Sequence, residues 1–287
     1  MRAHTTLVFG FWLVAACGAR TPLDIDVGGD VSSPAPDAAV PDSSSSGTAK
    51  HVGYLGVVGS TPSGARAFAQ FFPDPVDPTC AYLGEVGACS VARCPVNTSA
   101  SADAGSIRAS AANTRGSATL QYQGQSPSGS YATAPLFTNT TDLSPSTSVL
   151  FVGTGGADVP MMMTYISTPV VGQLASPDFA ASPTIHTSDD LALSWSAIPY
   201  GDAVFTLSPP NASGDVPLLV CAFDGAATTG VVPRETLVSF KQILQGGNAT
   251  ASFVAMARSP WTLGEWTVNM LGMTSTAAGA TGTVTLE

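Results

Sequence analysis

The sequence predicts an all-β chain, an antiparallel β-sandwich arranged as two modules with one short helix. Three observations carry that expectation. Only 10% of the 287 residues are charged, against about 25% in typical soluble proteins; helices wet their outer faces with Lys and Glu, whereas strands can do so with Ser and Thr. Apolar residues still make up 44% of the chain, enough for a core. From His51 onward, short apolar runs alternate with clusters of Gly, Pro, Ser and Asn, the spacing of a sandwich or barrel.

In chain order the predicted strands are His51–Val58, Ala65–Phe72, Ala88–Arg93, Gly105–Ser110, Ala118–Gln123, Ser148–Val152 and Met161–Ser167. They continue with Asp190–Ala197, Ala203–Ser208, Pro217–Phe223, Thr250–Met256, Gly264–Leu271 and Gly282–Leu286. Alternation is clean in Leu191, Leu193, Trp195 and Ala197, which share one face, and in Trp266, Val268 and Met270. The segment Val232–Leu244 breaks the pattern. Pro233 suits a first helical turn, Leu237, Phe240 and Leu244 recur at three- and four-residue spacing, and Gly246-Gly247 stops the run. One helix is expected there, plugging an open end of the sandwich.

The segment 168–182 reads as a boundary, giving a first β module over 51–170 and a second, immunoglobulin-like sandwich over 171–287; a single two-sheet domain over 51–287 is the alternative. Trp195 and Cys221 fit an immunoglobulin-like module, but no cysteine precedes Trp195 in that module to pair with Cys221. No internal repeat is evident.

Cys80, Cys89, Cys94 and Cys221 are an even set, and in an exported protein they are expected to be oxidised. A hairpin turning at Val86-Gly87-Ala88 would face Cys80 toward Cys94 and leave Cys89 to reach Cys221, one of three possible connectivities. The cysteine spacings of eight and four residues contain no C-x-x-C, and His51 and His186 lie in no ligand register, so neither a zinc site nor a redox dithiol is expected.

No catalytic signature appears. G-x-S-x-G is absent, and three histidines leave few general bases. His186 lies close to Asp189 and Asp190 without a nucleophile in sight. Asp74 and Asp77, like Asp189 and Asp190, read as solvated turns in preference to calcium ligands. With 10 basic residues against 20 acidic ones, the net charge is −10. Such a surface repels phosphate backbones, so nucleic-acid binding is not expected. No enzyme activity, cofactor or metal is predicted. Tyr200 and Trp261, read as loop aromatics, are the candidate ligand contacts. Met161-Met162-Met163 suits either an adaptable contact surface or a gap-filling core strand. The sequons at Asn97, Asn139, Asn211 and Asn248 are read as chance occurrences in polar loops.

The N-terminus carries an address. Arg2 precedes an apolar run from Leu7 to Val14, too short for the roughly 20 residues that span a bilayer. Residues 1–16 therefore read as a signal peptide. Val14-Ala15-Ala16-Cys17 resembles the lipobox of bacterial lipoproteins, with Val where Leu is usual; an ordinary secretory signal cut after Ala16 is the alternative. That resemblance implies that Cys17 is acylated and becomes the N-terminus, and Gly18 in place of Asp implies passage to the outer membrane. Two or more acyl chains give stable anchoring at about 0.8 kcal/mol per buried methylene.

Residues 17–50 hold Pro22, Pro34, Pro36 and Pro41, a serine run and no aromatic. They read as a tether averaging roughly 30 Å end to end. The order of LALSWSA, LLVCAFDGAATTGVVP and a closing GTVTLE strand also resembles uncharacterised secreted β-rich lipoproteins of GC-rich Gram-negative bacteria. The expectation is a lipid-anchored outer-membrane or cell-surface protein that binds an unidentified protein or polysaccharide, adheres or supports structure. A surface hydrolase using paired carboxylates and an accessory subunit of an outer-membrane assembly are the alternatives.

Overall fold

In the computed structural model the described residues are 51–61, 64–72, 80–94, 102–111, 117–123, 131, 134–137, 148–210, 215–276 and 279–287. The signal peptide, Cys17, the tether, Asp74, Asp77 and the sequons at Asn97, Asn139 and Asn211 lie outside them. The first half contributes β1 (His51–Thr61), β2 (Gly64–Phe72), β3 (Ala81–Val86), β4 (Cys89–Cys94), β5 (Ile107–Ala111), β6 (Ser117–Leu120), β7 (Ala134–Phe137), β8 (Ser148–Gly153) and β9 (Met162–Ser167). Then come β10 (Leu174–Ser176), β11 (Thr184–Ile185), β12 (Leu191–Trp195), β13 (Asp202–Ser208), β14 (Val216–Asp224), β15 (Thr229–Val232), α1 (Arg234–Ile243), β16 (Asn248–Leu263), β17 (Trp266–Thr276) and β18 (Thr281–Leu286). Among the described residues the chain is all-β with one α-helix, and its sheets stack as a sandwich.

One large sheet runs β3-β4-β14-β13-β16-β17-β1-β2-β7, with β18 bonded to β16 and β11. A four-stranded sheet, β6-β5-β8-β9, and a three-stranded sheet, β10-β12-β15, complete the fold. Pairing is antiparallel except at β1/β17 and β11/β18, which run parallel. The boundary expected between 170 and 171 divides the chain but not the large sheet: β1 lies beside β17, and β4 beside β14.

The two largest apolar cores lie between the layers. In the first, Leu55, Val57 and Phe71 of the large sheet meet Ile107, Leu120, Phe151, Met162 and Ile166 of the four-stranded sheet. Trp266 and Val268 from β17 join them, Trp266 edge-on to Phe71 with ring centroids 5.7 Å apart. The second gathers Phe179, Trp195, Phe205 and Phe253 under Leu237 and Phe240 of α1. Cys89 and Val91, from the first half of the sequence, are buried within it. Gly56 is required where β1 passes between Phe68 of β2 and Leu271 of β17: a Cβ there would strike the Leu271 carbonyl and come within 2.8 Å of the Phe68 ring.

The helix starts two residues later than its apolar pattern suggested. Pro233 has extended backbone (φ −62°, ψ 142°) and occupies the cap position instead of the first turn. Leu237, Phe240 and Leu244 face the second core as their spacing required. Strand β16 is longer than expected. Past Met256 it has β17 on one side and no described strand on the other, a setting in which a strand tolerates the missing N–H of Pro260. The turn read at Ser259–Gly264 is therefore strand as far as Leu263.

Candidate functional site

The sequence around β9 alternates, and the fold separates the two sets. Met162 and Ile166 are buried in the first core, whereas Met161, Met163 and Tyr165 are 75%, 72% and 67% exposed. Period-two geometry places the latter three along one outer face. Register extends the face across the sheet: Met163 stands opposite Val152, Val152 opposite Arg108, and Arg108 opposite Thr119. The next row runs Tyr165, Leu150, Ser110 and Ser117. Arg108 is the one charge in these two rows, and no charged residue lies between Asp158 and Asp178.

The loop leading into β9 is tied down by backbone bonds to carboxylates. The Asp103 N–H donates to Asp158 Oδ2 at 2.8 Å, and the Gly105 N–H donates to Asp103 Oδ1 at 2.7 Å. Asp158 and Val159 N–H groups both donate to the Asp103 carbonyl at 3.0 Å. Beneath this knot the Ala104 N–H donates to the Tyr131 hydroxyl oxygen at 2.7 Å. Burial, with nearby Asp103, pushes the Tyr131 pKa well up, so the hydroxyl stays neutral. Gly105 has φ +70°, and a Cβ there would strike the Gly155 carbonyl, so the chain crossing requires glycine. Among the described residues no group of three or more His, Cys, Asp or Glu side chains is arranged to hold a metal.

At the C-terminal end of β9 lies a cavity of about 320 Å³, lined by Ser167, Thr168, Pro169, Val170, Pro199 and Tyr200. Tyr200 is 95% exposed and has φ +63°. A bulky residue is uncommon in that left-handed region.

The other candidate aromatic sits differently from the sequence reading. Trp261 lies within β16 opposite Val268, half-buried against the first core beside Leu263, and is not a loop residue. His186 points its Nδ1 at Glu287 Oε2, 3.9 Å away, on an exposed surface. Asp190 does something its sequence context did not reveal, accepting the Arg234 N–H at 2.8 Å. Asn248, the one sequon asparagine among the described residues, accepts a hydrogen bond from the Thr285 hydroxyl at 3.3 Å. The signal that marked the β9 stripe was present in the sequence as Met161-Met162-Met163; alternation alone does not say which of its two faces is wet.

Asp202 and Asp224 stand opposite each other on β13 and β14. Asp202 keeps an exposed surface, yet partial desolvation and the facing carboxylate raise its pKa above the usual range, with Arg258 pulling the other way. Asp224 Oδ1 accepts the Ala226 N–H at 2.9 Å. Neither carboxylate lines the cavity.

Four cysteines form two bonds, Cys80–Cys94 and Cys89–Cys221. The first closes the β3–β4 hairpin. The second joins residues directly opposite each other on β4 and β14, with Cα atoms 4.0 Å apart. It staples neighbours within one sheet, unlike the inter-sheet bond of an immunoglobulin domain. Such bonds form and persist in oxidising, extracytoplasmic compartments.

The chain matches no family model, and no curated protein resembles it in sequence.

Proposed function

We propose that this chain is a lipid-anchored protein of the cell envelope, fastened through Cys17 to the outer membrane. Its 17–50 tether carries a β-sandwich whose role is binding, adhesive or structural. The observation that carries the binding role is the exposed stripe of Met161, Met163 and Tyr165, continued by the cavity beside Tyr200. Holding large apolar side chains in water is unfavourable unless a partner covers them, and Met and Tyr suit adaptable contact surfaces. The two disulfides support an extracytoplasmic site of folding. Among the described residues no helix is long and apolar enough to cross a membrane, and the proposed anchor is the acylated cysteine.

The anchor is tested by mass spectrometry of the N-terminal fragment, which should carry acyl chains, and by Cys17→Ala, which should release the protein from membranes. An unmodified Cys17 in membrane-bound material defeats the reading. The ligand is sought by pull-down of the anchored protein together with a polysaccharide array. The accessory-subunit reading shares the same stripe and predicts a stoichiometric membrane-protein partner in the pull-down.

A further inference from the structure

Strand β9 bonds β8 on one side, and no other described strand pairs with its opposite side. Its register with β8 holds from Ser148 opposite Ser167 to Gly153 opposite Met162 without a bulge. A straight, uncharged, apolar edge of this kind is a template for strand addition, and proteins usually blunt such edges with charge, proline or a bulge. The edge at β3 is blunted in that way: its register shifts between Tyr82 and Gly84, and it carries Glu85. No such device interrupts Met162–Ser167.

We infer that the edge of β9 takes an extended, uncharged segment of another polypeptide, which adds to the four-stranded sheet as a fifth strand. This deepens the binding role proposed above and rests on it. Main-chain hydrogen bonds along β9 supply affinity, and alternate side chains of the added strand lie beside Met161, Met163 and Tyr165. The cavity lined by Pro169, Pro199 and Tyr200, where β9 ends, receives an apolar side chain from one end of that segment. Charge argues for the same occupant. The chain carries −10 overall, yet none of that charge falls between Asp158 and Asp178. β9 itself therefore brings no ion that an uncharged strand would have to desolvate.

The test is amide hydrogen exchange on the disulfide-intact protein with three probes. These are a soluble eight-residue peptide alternating threonine with valine, the same peptide methylated on every backbone nitrogen so that neither edge can donate, and a panel of envelope oligosaccharides. The unmodified peptide is expected to slow exchange in Met162–Ser167 by roughly tenfold. The methylated peptide should not, and Met163→Lys and Tyr165→Lys, both at exposed positions, should abolish the effect without moving the melting temperature. Equal protection by the methylated peptide, or peptide protection confined to another element, overturns strand addition. So does protection of β9 by oligosaccharide alone, which leaves the stripe as a binding surface. If neither the probes nor a crude envelope extract protects β8, β9 or the Tyr200 cavity, the binding role falls as well.

Discussion

Asp190 Oδ1 accepts the backbone N–H of Arg234 at 2.8 Å, so the first turn of α1 is capped by a side chain 44 residues earlier in the chain. Pro233, at the cap position, has no side-chain oxygen to offer. The carboxylate satisfies one orphan donor and complements the positive end of the helix. Replacing a capping Asp by Ala typically costs about 1 kcal/mol. Asp190→Ala should lower the denaturation midpoint by that order, and Asp190→Asn should retain most of the stability. Equal loss in both would mean that the charge matters more than the hydrogen bond.

The two disulfides should differ in weight. Cys89–Cys221 spans 132 residues of sequence and Cys80–Cys94 spans 14. In the loop-entropy account the longer closure stabilises by about 5 kcal/mol and the shorter by about 3 kcal/mol. Replacing both cysteines of a pair by Ala should therefore reduce stability more for 89/221 than for 80/94, as read from urea midpoints. The reverse order would place the main effect in the folded state.

Asp202 gives an unusual pH response for a carboxylate. Its folded pKa is raised above the value of 3.8 taken for a free Asp, so its charged form is disfavoured in the folded state. The penalty applies in full above the folded pKa. It shrinks as pH falls through that value and vanishes below about 3.8. Asp202→Asn should raise the melting temperature at pH 7, and the gain should disappear on acidification through that window. Because Asp202 keeps an exposed surface, solvent screening keeps the gain small.

Thr236 is buried in α1, and its hydroxyl has no hydrogen-bond partner among the described residues. A buried unsatisfied hydroxyl is unfavourable, and valine has nearly the same shape. Thr236→Val should leave stability unchanged or raise it by up to about 1 kcal/mol. A clear loss in calorimetry would mean that the hydroxyl is satisfied in solution.

The expected strands correspond to observed ones because alternation is a local property. Leu193 and Trp195 are inward, as their spacing required. What escaped the strand reading was too short or too exposed to carry a period: β7 and β15 have four residues each, β10 has three, β11 has two, and β3, expected only as the first arm of the hairpin that faces Cys80 with Cys94, is exposed along its whole length. Trp261 reads as a loop residue because Pro260 is a strand breaker, and only its place in β16, with β17 on one side and no described strand on the other past Met256, accommodates a proline there. The Met stripe was legible as a candidate; its wet face was not.

By itself, the sequence determined the class of the fold, the helix and most strands, because hydrogen-bonding period and side-chain alternation are set by near neighbours. It also named the cysteines. Tertiary structure alone decided that β1 lies parallel to β17, that Cys89 and Val91 of β4 belong to the second core, and that Met161, Met163 and Tyr165 face solvent. Those outcomes depend on which distant apolar faces bury each other, a choice that no local run of residues encodes.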